Sequence, residues 1–311
     1  MSSFHHVSVL LDACIDALAI RPDGVYVDGT LGGGGHSREI AGRLTTGHLI
    51  GIDRDETALA AAGERLAPFM DRVTLVHSNF CEMDSVIRSL GYGGVDGVLL
   101  DLGVSSPQLD ESSRGFSYMA DAPLDMRMDR GDTLTAYQVV NEWSYEELKR
   151  ILFDYGEERY APLIAGAICR RREQKPIATT LELVDIIRGS VPPAALREKQ
   201  HPAKRSFQAI RIAVNDELGA VSKAMEAAIP MLNPGGRLAV ITFHSLEDRI
   251  VKSSMAEAAR GCTCPPSFPV CVCGKKPKVK LLSRKPVLPG PEELEENPRA
   301  RSAKLRVCEK L

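Results

Sequence analysis

Residues 24–36 read Gly-Val-Tyr-Val-Asp-Gly-Thr-Leu-Gly-Gly-Gly-Gly-His, and this stretch decides the expected fold. The apolar run Val25–Val27 consists of β-formers and predicts a short buried strand. Asp28 ends the run, glycines follow it, and the residues after His36 have helical spacing. A strand, a glycine turn and a helix in this order bring backbone N–H groups and a helix N-terminus close to a ligand. Glycine suits the turn because a side chain there would hold the ligand away.

This layout binds two classes of ligand, dinucleotides and S-adenosylmethionine. The dinucleotide fingerprint G-x-G-x-x-G fits poorly, because Ser37 stands where the third glycine belongs. Methyltransferases instead tend to show an acid at the strand end and then spaced glycines, as Asp28, Gly32 and Gly34 do here. Thr30 takes the place of the first glycine. The pattern favours S-adenosylmethionine, with a nicotinamide-dependent dehydrogenase as the enzymatic alternative and a plain glycine-rich surface turn as the structural one.

Three more strands are predicted at 48–53, 72–77 and 95–101, with helical segments between them. Such alternation predicts a parallel, doubly wound α/β sheet, in which ligands bind beyond the carboxyl ends of the strands. Asp53 ends the second strand, where an acid can accept hydrogen bonds from ribose hydroxyls. An N-cap is the alternative role, but Asp55 is better placed for it.

Four side chains, Asp28, Asp53, Phe80 and Asp101, follow strand ends and should therefore meet at one edge of the sheet. This coincidence is a stronger signal than any one of the residues alone. Phe80 can stack on an adenine or pack in the core, and the residues by themselves favour the core.

Length and charge indicate an additional domain and a polyanionic partner. The chain has 311 residues, enough for one sizeable core and a second small domain or insertion. Its net charge of −2 is unevenly distributed: residues 1–105 hold 7 Lys/Arg and 14 Asp/Glu, whereas residues 160–214 hold 10 and 4. Residues 275–285 contain six basic residues and no acid. The basic stretches suggest a polyanion held beside a cofactor domain, with solvated basic faces as the alternative.

The sequence predicts a cytoplasmic protein. It has no run of ~18 apolar residues, and no basic segment precedes the first apolar stretch, so neither a membrane span nor a signal peptide is expected. Among eight cysteines, Cys262, Cys264, Cys271 and Cys273 cluster. Four thiols suffice for a tetrahedral zinc site, but the Cys-x-Cys spacing is tighter than usual, and a reduced surface loop is the alternative. No metal ligand is assigned.

The order of motifs predicts an interrupted sheet domain. Residues 109–131 are irregular, and helices without strands follow to residue 190. We therefore expect a first part of the cofactor domain over 1–108, an inserted helical substrate-recognition domain over 109–203, and a second part with a basic tail over 204–311.

The second part should begin with one long amphipathic helix over 204–229, bent near Gly219. An apolar strand ending at His244 then returns the chain to the sheet, and residues 278–282 and 304–307 can supply a final antiparallel hairpin.

Motifs spread over almost the whole chain resemble those of one family, the bacterial small-subunit ribosomal RNA cytosine-N4 methyltransferases of the RsmH/MraW type. The matching stretches are 6–11, 28–37, 51–55, 99–110, 114–117, 123–129, 155–159, 207–212, 241–249 and 296–302. Gly33 is the one departure in the glycine run, and it should not impair binding.

The resemblance implies a class I methyltransferase fold, a Rossmann-like sheet with an inserted helical domain. It implies methylation of the N4 amine of a decoding-centre cytidine in 16S rRNA, with S-adenosylmethionine as the donor and the small ribosomal subunit or its precursor as the partner. The family's cofactor contacts fall on Gly34, Gly35, His36, Asp53, Phe80, Asp101 and Gln108.

The proton acceptor is left open by the sequence. DNA amino-methyltransferases carry an Asn/Asp/Ser-Pro-Pro-aromatic motif after the fourth strand, and here Asp101–Gln108 occupies that place without the second proline and the aromatic. Carboxylates suit the cytosine amine, so Asp101 can contact the cofactor, the amine or both. Asp125 and His244 are further catalytic candidates, and His244 can equally be a packed or capping histidine. Another RNA substrate, a non-catalytic RNA-binding scaffold, and a monomeric or dimeric state all remain open.

Overall fold

One seven-stranded sheet forms the centre of the fold in the part of the chain that the computed structural model describes, residues 8–105, 108–109, 111–265, 270 and 272–311. The strand order is β3-β2-β1-β4-β5-β7-β6. The strands are β1 Val25–Asp28, β2 His48–Asp53, β3 Val73–His77, β4 Val95–Asp101, β5 Leu232–Thr242, β6 Val279–Leu281 and β7 Lys304–Lys310.

The sheet is mostly parallel. β1 pairs in parallel with β2 on one side and with β4 on the other, and β2–β3 and β4–β5 are parallel as well. β7 runs antiparallel to both β5 and β6, which confirms the hairpin expected at the tail. The inner strands are buried on both faces, in keeping with the apolar runs 49–52 in β2 and 97–100 in β4. The doubly wound α/β fold expected from the sequence is confirmed.

Twelve α-helices accompany the sheet within the described residues. They are α1 Leu11–Leu18, α2 Gly35–Arg43, α3 Glu56–Leu66, α4 Met83–Ser89, α5 Ala136–Glu142, α6 Tyr145–Asp154, α7 Ala161–Gln174, α8 Thr180–Ser190, α9 Lys204–Asn215, α10 Glu217–Met231, α11 Ser245–Ala258 and α12 Pro291–Glu296. None of them has the length and apolar character that crossing a membrane requires.

The chain divides into two compact units. The first comprises the chain up to Gly103 together with Leu218–Leu311 and contains the whole sheet, and the second is Val104–Glu217. The second unit is helical, as expected. Its helices α5, α6 and α8 each begin with a capping box, at Thr135, Ser144 and Thr179, which satisfies backbone N–H groups that would otherwise lack partners.

The bounds of the second unit differ from the expected insertion of 109–203. Helix α9 belongs to it because Phe207, Ile210 and Val214 pack into the helical core, whereas the sequence analysis assigned residues from 204 onward to the sheet domain.

The prediction of one long helix over 204–229 is wrong, because the chain forms two helices, α9 and α10, that are separated at Asp216. This residue has a left-handed backbone with φ of 47°. The neighbouring Asn215 is buried, and its side chain bonds the backbone of Met126 and Met128. Satisfying those backbone groups fixes the helix end at Asn215 rather than at Gly219.

Candidate functional site

Three carboxylates lie at one edge of the sheet in the first unit. β1 is flanked by β2 and β4, so Asp28, Asp53 and Asp101 end three neighbouring parallel strands. Parallel strands present their carboxyl ends at the same edge, where open α/β sheets bind ligands. The structure therefore brings together the three acids that the sequence placed there.

The glycine turn connects this edge to helix α2. Gly32 and Gly34 have φ of 51° and 72°, a left-handed conformation that side chains disfavour. Gly34 immediately precedes α2, and a Cβ added to it would lie 3.2 Å from the Cβ of Ala62 in α3. Gly35 starts the helix, and a Cβ there would overlap Ser8 Oγ. The two glycines therefore let the start of α2 approach Ala62 and Ser8 closely.

Asp28 organises the turn from beneath. Its carboxylate accepts hydrogen bonds from Ser37 Oγ at 2.7 Å and from the Thr30 amide at 3.2 Å, and the residue is only 1% exposed. Burial raises the pKa of the Asp28 carboxyl to about 6, against the lowering effect of these two bonds. Because Asp28 is enclosed, we expect it to affect a ligand indirectly, by fixing the conformation of the glycine turn.

Asp53 also binds the glycine turn. Its carboxylate accepts hydrogen bonds from the amides of Gly32 at 2.7 Å and Asp55 at 2.9 Å. Burial raises its pKa to about 6, although both bonds oppose the shift. The N-cap of α3 is Asp55, which accepts from the Thr57 amide at 3.0 Å, so the capping alternative for Asp53 is wrong. Each carboxylate oxygen accepts more than one hydrogen bond, and Asp53 retains capacity for a hydroxyl.

His36 lies between the N-terminal segment and Asp101. Its Nε2 is 3.0 Å from the carbonyl oxygen of Val9, and its Nδ1 is 3.9 Å from Asp101 Oδ2. The ring is buried at the start of α2. His36 thus bridges two walls of the site instead of projecting into solvent.

Phe80 opens a short 3₁₀ helix, Phe80–Glu82, directly after β3. It is partly buried and packs against the apolar core of the sheet, and Gly29 leaves room for it. The structure therefore shows the core contact that the residues by themselves favour, and stacking of the ring on an adenine stays a prediction.

Among the three carboxylates at the sheet edge, Asp101 is the one with an oxygen that accepts no hydrogen bond from the described residues. Its amide donates to Thr30 Oγ1 at 2.6 Å, which fixes the backbone, but its buried Oδ1 has no hydrogen-bond partner among the described residues. Burial, followed by the negative charges of Asp28 and Glu247, raises the pKa of the Asp101 carboxyl to about 8. A carboxyl whose buried oxygen has no donor is costly for the apo fold and is suited to a ligand that brings a donor or a positive charge.

His244 caps helix α11. Its Nδ1 accepts from the Glu247 amide at 3.5 Å, and Glu247 Oε2 accepts from the amides of His244 at 3.3 Å and Phe243 at 2.9 Å. His244 Nε2 also lies 3.0 Å from Glu247 Oε1. The geometry is that of the capping alternative, and the histidine lies at the end of β5, next to the strand that carries Asp101.

Asp125 and Gln108 belong to the second unit. The Asp125 carboxylate receives Arg127 Nε at 2.7 Å and Arg127 Nη2 at 2.9 Å, a bidentate pair. Burial raises the pKa of Asp125, but the bonds and charge of Arg127 outweigh it and hold the pKa below its ordinary value. Gln108 is buried, and its Oε1 accepts from the Ser105 amide at 3.0 Å.

Sequence reasoning missed the supporting residues Thr30, Ser37 and Glu247. Thr30 and Ser37 bond Asp101 and Asp28 across the turn, and Glu247 is 1% exposed and acts electrostatically on Asp101. The one available signal was the spacing His244-x-x-Glu247, which is that of a capping box.

Known proteins with similar sequences identify the family. The family model described as the MraW methylase family matches residues 3–311. Proteins named ribosomal RNA small subunit methyltransferase H are 60% identical in Brevibacillus brevis and 59% identical in Heliobacterium modesticaldum, each over 99% of this chain and 99% of that protein. The same named protein of Symbiobacterium thermophilum is 59% identical over 99% of this chain and 98% of its own length.

A solved rRNA methylase from Streptococcus thermophilus aligns over 98% of this chain and 99% of its own, at 13% identity and a TM-score of 0.44, and the assignment does not depend on it. The family expected from the motifs is confirmed: the chain belongs to the MraW methylase family and is a methyltransferase.

Proposed function

We propose that this chain transfers a methyl group from S-adenosylmethionine to the N4 amine of a decoding-centre cytidine in 16S rRNA. Its relatives at 57–60% identity over nearly the whole chain are named ribosomal RNA small subunit methyltransferases, and the sheet edge provides acids and a glycine turn. The observation that carries the chemistry is Asp101, a carboxyl with a buried oxygen that has no partner among the described residues.

The residues at the sheet edge fit S-adenosylmethionine. Asp53 supplies the acceptor that ribose hydroxyls need, and Phe80 supplies an aromatic face for the adenine. Gly34, Gly35 and His36 form the start of α2, whose N–H groups suit the amino-acid carboxylate. We include Gln108 as a contact because the family resemblance implies it. The bound cofactor supplies an activated methyl group on a cationic sulfur.

The protein must make a weak nucleophile reactive. The lone pair of cytosine N4 is delocalised into the ring, so an acceptor for the amino hydrogens raises its electron density. Asp101 is the best placed acceptor, because it stands at the sheet edge and its Oδ1 is not occupied by another described residue. It must be ionised to accept, and as the N–C bond forms it takes the proton that N4 releases. Asp125 is already bound by Arg127, and His244 caps α11, so we rank both below Asp101.

Basic residues are the proposed contacts to the RNA backbone. In the second unit, Arg170 is exposed near the end of α7 and Lys204 begins α9. In the first unit, Lys276, Lys278 and Lys280 are exposed around β6. The target base must also be unstacked to reach the site. Such a protein acts in the cytoplasm on the small subunit or its precursor, as a monomer or a dimer.

The test is methyl transfer from labelled S-adenosylmethionine to small ribosomal subunits and to naked 16S rRNA, followed by nucleoside analysis. We expect N4-methylated cytidine with the wild type and at least a ~100-fold lower rate with Asp101→Asn, because general-base contributions are of that order. Asp71→Asn is the matched control, since its carboxylate is 64% exposed and pairs only at the surface with Arg72.

The outcomes separate the alternatives. Cofactor binding without transfer to either RNA, or methylation at another nucleoside, contradicts the substrate proposal. Cofactor binding together with RNA binding and no transfer to any RNA would favour the non-catalytic scaffold.

A further inference from the structure

The segment between α11 and β6 has no regular secondary structure among its described residues. Residues 259–277 form no helix or strand in the part that is described, and Val270 and Val272 are 70% and 72% exposed. Its two ends meet, since the Lys278 amide donates to the Ala258 carbonyl at 2.8 Å. Long loops without secondary structure are uncommon in compact domains, and the described residues of this one leave both valines exposed.

Three cysteine sulfurs of this segment converge. The Sγ atoms of Cys262, Cys264 and Cys273 all lie within 4.8 Å of one another. The sulfurs of Cys262 and Cys273 are 3.6 Å apart, much farther than the ~2.05 Å of a disulfide bond. Two thiolates on one tetrahedral zinc ion, each bonded at ~2.3 Å, lie about 3.8 Å apart. The separation therefore matches two ligands of one metal ion.

Backbone amides point at the same sulfurs. The Cys264 amide donates to Cys262 Sγ at 3.4 Å, and the Val272 amide donates to Cys264 Sγ at 3.4 Å. N–H···S bonds stabilise negative charge on sulfur and orient thiolate ligands around a metal. Two of the three sulfurs thus accept backbone N–H groups, an arrangement that suits thiolate ligands.

We propose that Cys262, Cys264 and Cys273 bind a structural zinc ion that fixes the segment between α11 and β6. Soft thiolate ligands select zinc over magnesium or calcium. Cys271 lies outside the described residues, and the three other cysteines carry the proposal. The site is separate from the methyl-transfer chemistry, which needs no metal in the proposed function.

The site lies next to basic residues. Lys275 follows Cys273 closely and pairs with Glu257 at the end of α11, and Lys276 and Lys278 are exposed. A zinc ion would hold the start of this basic segment against α11, so that lysines meant for phosphates keep a fixed position.

The first test is metal content and geometry in the full-length wild type. Protein expressed in zinc-containing medium and purified without chelator should carry about one zinc per chain by elemental mass spectrometry, with Zn–S distances near ~2.3 Å by X-ray absorption. Protein expressed in cobalt-supplemented medium should show the intense visible bands of tetrahedral Co²⁺ with thiolate ligands. Neither readout depends on methyltransferase activity.

The double variant Cys262→Ser/Cys264→Ser should lower the zinc content at least tenfold, while Cys169→Ser, a half-buried thiol in the second unit, should leave it unchanged. The proposal is overturned if the wild type contains almost no zinc and takes up none from added Zn²⁺. It is equally overturned if non-reducing mass spectrometry shows these cysteines joined as a disulfide.

Discussion

At the scale of single residues, the surroundings of two carboxylates separate roles that the sequence could not. Asp101 and Asp125 both stand in motifs of the family, and both were catalytic candidates. Asp125 is held ionised by a bidentate arginine, whereas burial and nearby negative charges raise the pKa of Asp101 to about 8. A carboxyl that is largely protonated at neutral pH responds to any cation that binds beside it.

We therefore predict that S-adenosylmethionine binds more tightly as the pH rises from 6.5 to 8.5. The cationic sulfur favours the ionised form of Asp101, so binding to the protonated apo site must release a proton. Affinity should rise by at most about tenfold per pH unit below the pKa and level off above it. Isothermal titration calorimetry in buffers of different ionisation enthalpy measures both the affinity and the released proton.

S-adenosylhomocysteine is the matched control ligand, because it keeps the amino-acid groups and lacks the positive charge. The ratio of the affinities for S-adenosylmethionine and S-adenosylhomocysteine should rise with pH in the wild type and be independent of pH in Asp101→Asn. An equal pH dependence for both ligands would show that Asp101 does not sense the sulfonium.

The same shift has a defined sign for stability. The folded-state pKa values of Asp28, Asp53 and Asp101 lie above the ~3.9 of an unfolded aspartate. The folded chain thus binds more protons between pH 4 and 8, and these three groups lower the free energy of unfolding as the pH rises through that window. The apo protein sustains this cost at the site where a ligand can relieve it.

At the scale of elements, the turn between β1 and α2 depends on backbone conformation at Gly34. Its φ is 72°, and an added Cβ would press on the Cα and Cβ of Ala62 in α3. We predict that Gly34→Ala lowers the free energy of unfolding by about 1–3 kcal/mol and weakens S-adenosylmethionine binding, because α2 must move. Gly33→Ala is the control, since the nearest atom to its Cβ would be Arg65 Nη1 at 3.8 Å. Urea denaturation measures the free energy of unfolding, and titration calorimetry measures cofactor affinity. Equal losses of stability and affinity in Gly34→Ala and Gly33→Ala would contradict this prediction.

The junction between β5 and α11 distinguishes a cap from a catalyst. If His244 serves as the N-cap, His244→Asn should keep both stability and kcat, because asparagine is a strong N-cap residue. His244→Ala should lose about 1 kcal/mol of stability. A stable His244→Asn protein with a ~100-fold lower kcat and an altered pH–rate profile would make the histidine a catalytic residue instead.

Elements with strong local signals were predictable from the sequence. β1, β2 and β4 are short apolar runs ended by acids, and the tail hairpin and the cap at Asp55 also follow from local pattern. The break at Asp216 was not predictable. It depends on Asn215 reaching Met126 and Met128, which are distant in sequence, and amphipathic periodicity continues through it.

At the scale of the whole molecule, the candidate site was predictable as a set of residues but not as a network. The glycines, Asp53, Asp101 and the position of Phe80 follow from strand ends. The cofactor contacts of His36, Phe80 and Gln108 come from the family resemblance. What the sequence could not provide were tertiary bonds such as Thr30 to Asp101 and Arg127 to Asp125. Those bonds decide which carboxyl is available to act. Other tertiary bonds likewise change the interpretation of the basic residues.

The three arginines at 170–172 have different surroundings, so they do not share one function. Arg172 donates to the carbonyl oxygens of Val140 at 2.8 Å and Trp143 at 2.7 Å, so it holds the helical unit together. Arg170 is exposed, and Arg171 is half-buried near the end of the same helix. Charge counted along the sequence overstates the number of arginines that can meet phosphate.

We predict that Arg170→Ala/Arg171→Ala weakens RNA binding and reduces its dependence on salt. Each phosphate contact contributes about 0.7–0.9 to the slope of log affinity against log salt, so losing two contacts should lower the slope by about 1.4–1.8. Filter binding of 16S rRNA between low and physiological salt measures it, with Arg43→Ala, whose guanidinium pairs with Glu39 at the surface of the first unit, as the control. Arg172→Ala should instead lower the free energy of unfolding, because two partly buried carbonyls lose their donor. An unchanged slope in the double variant would place the RNA on another face, and the exposed lysines around β6 would then be the next to replace.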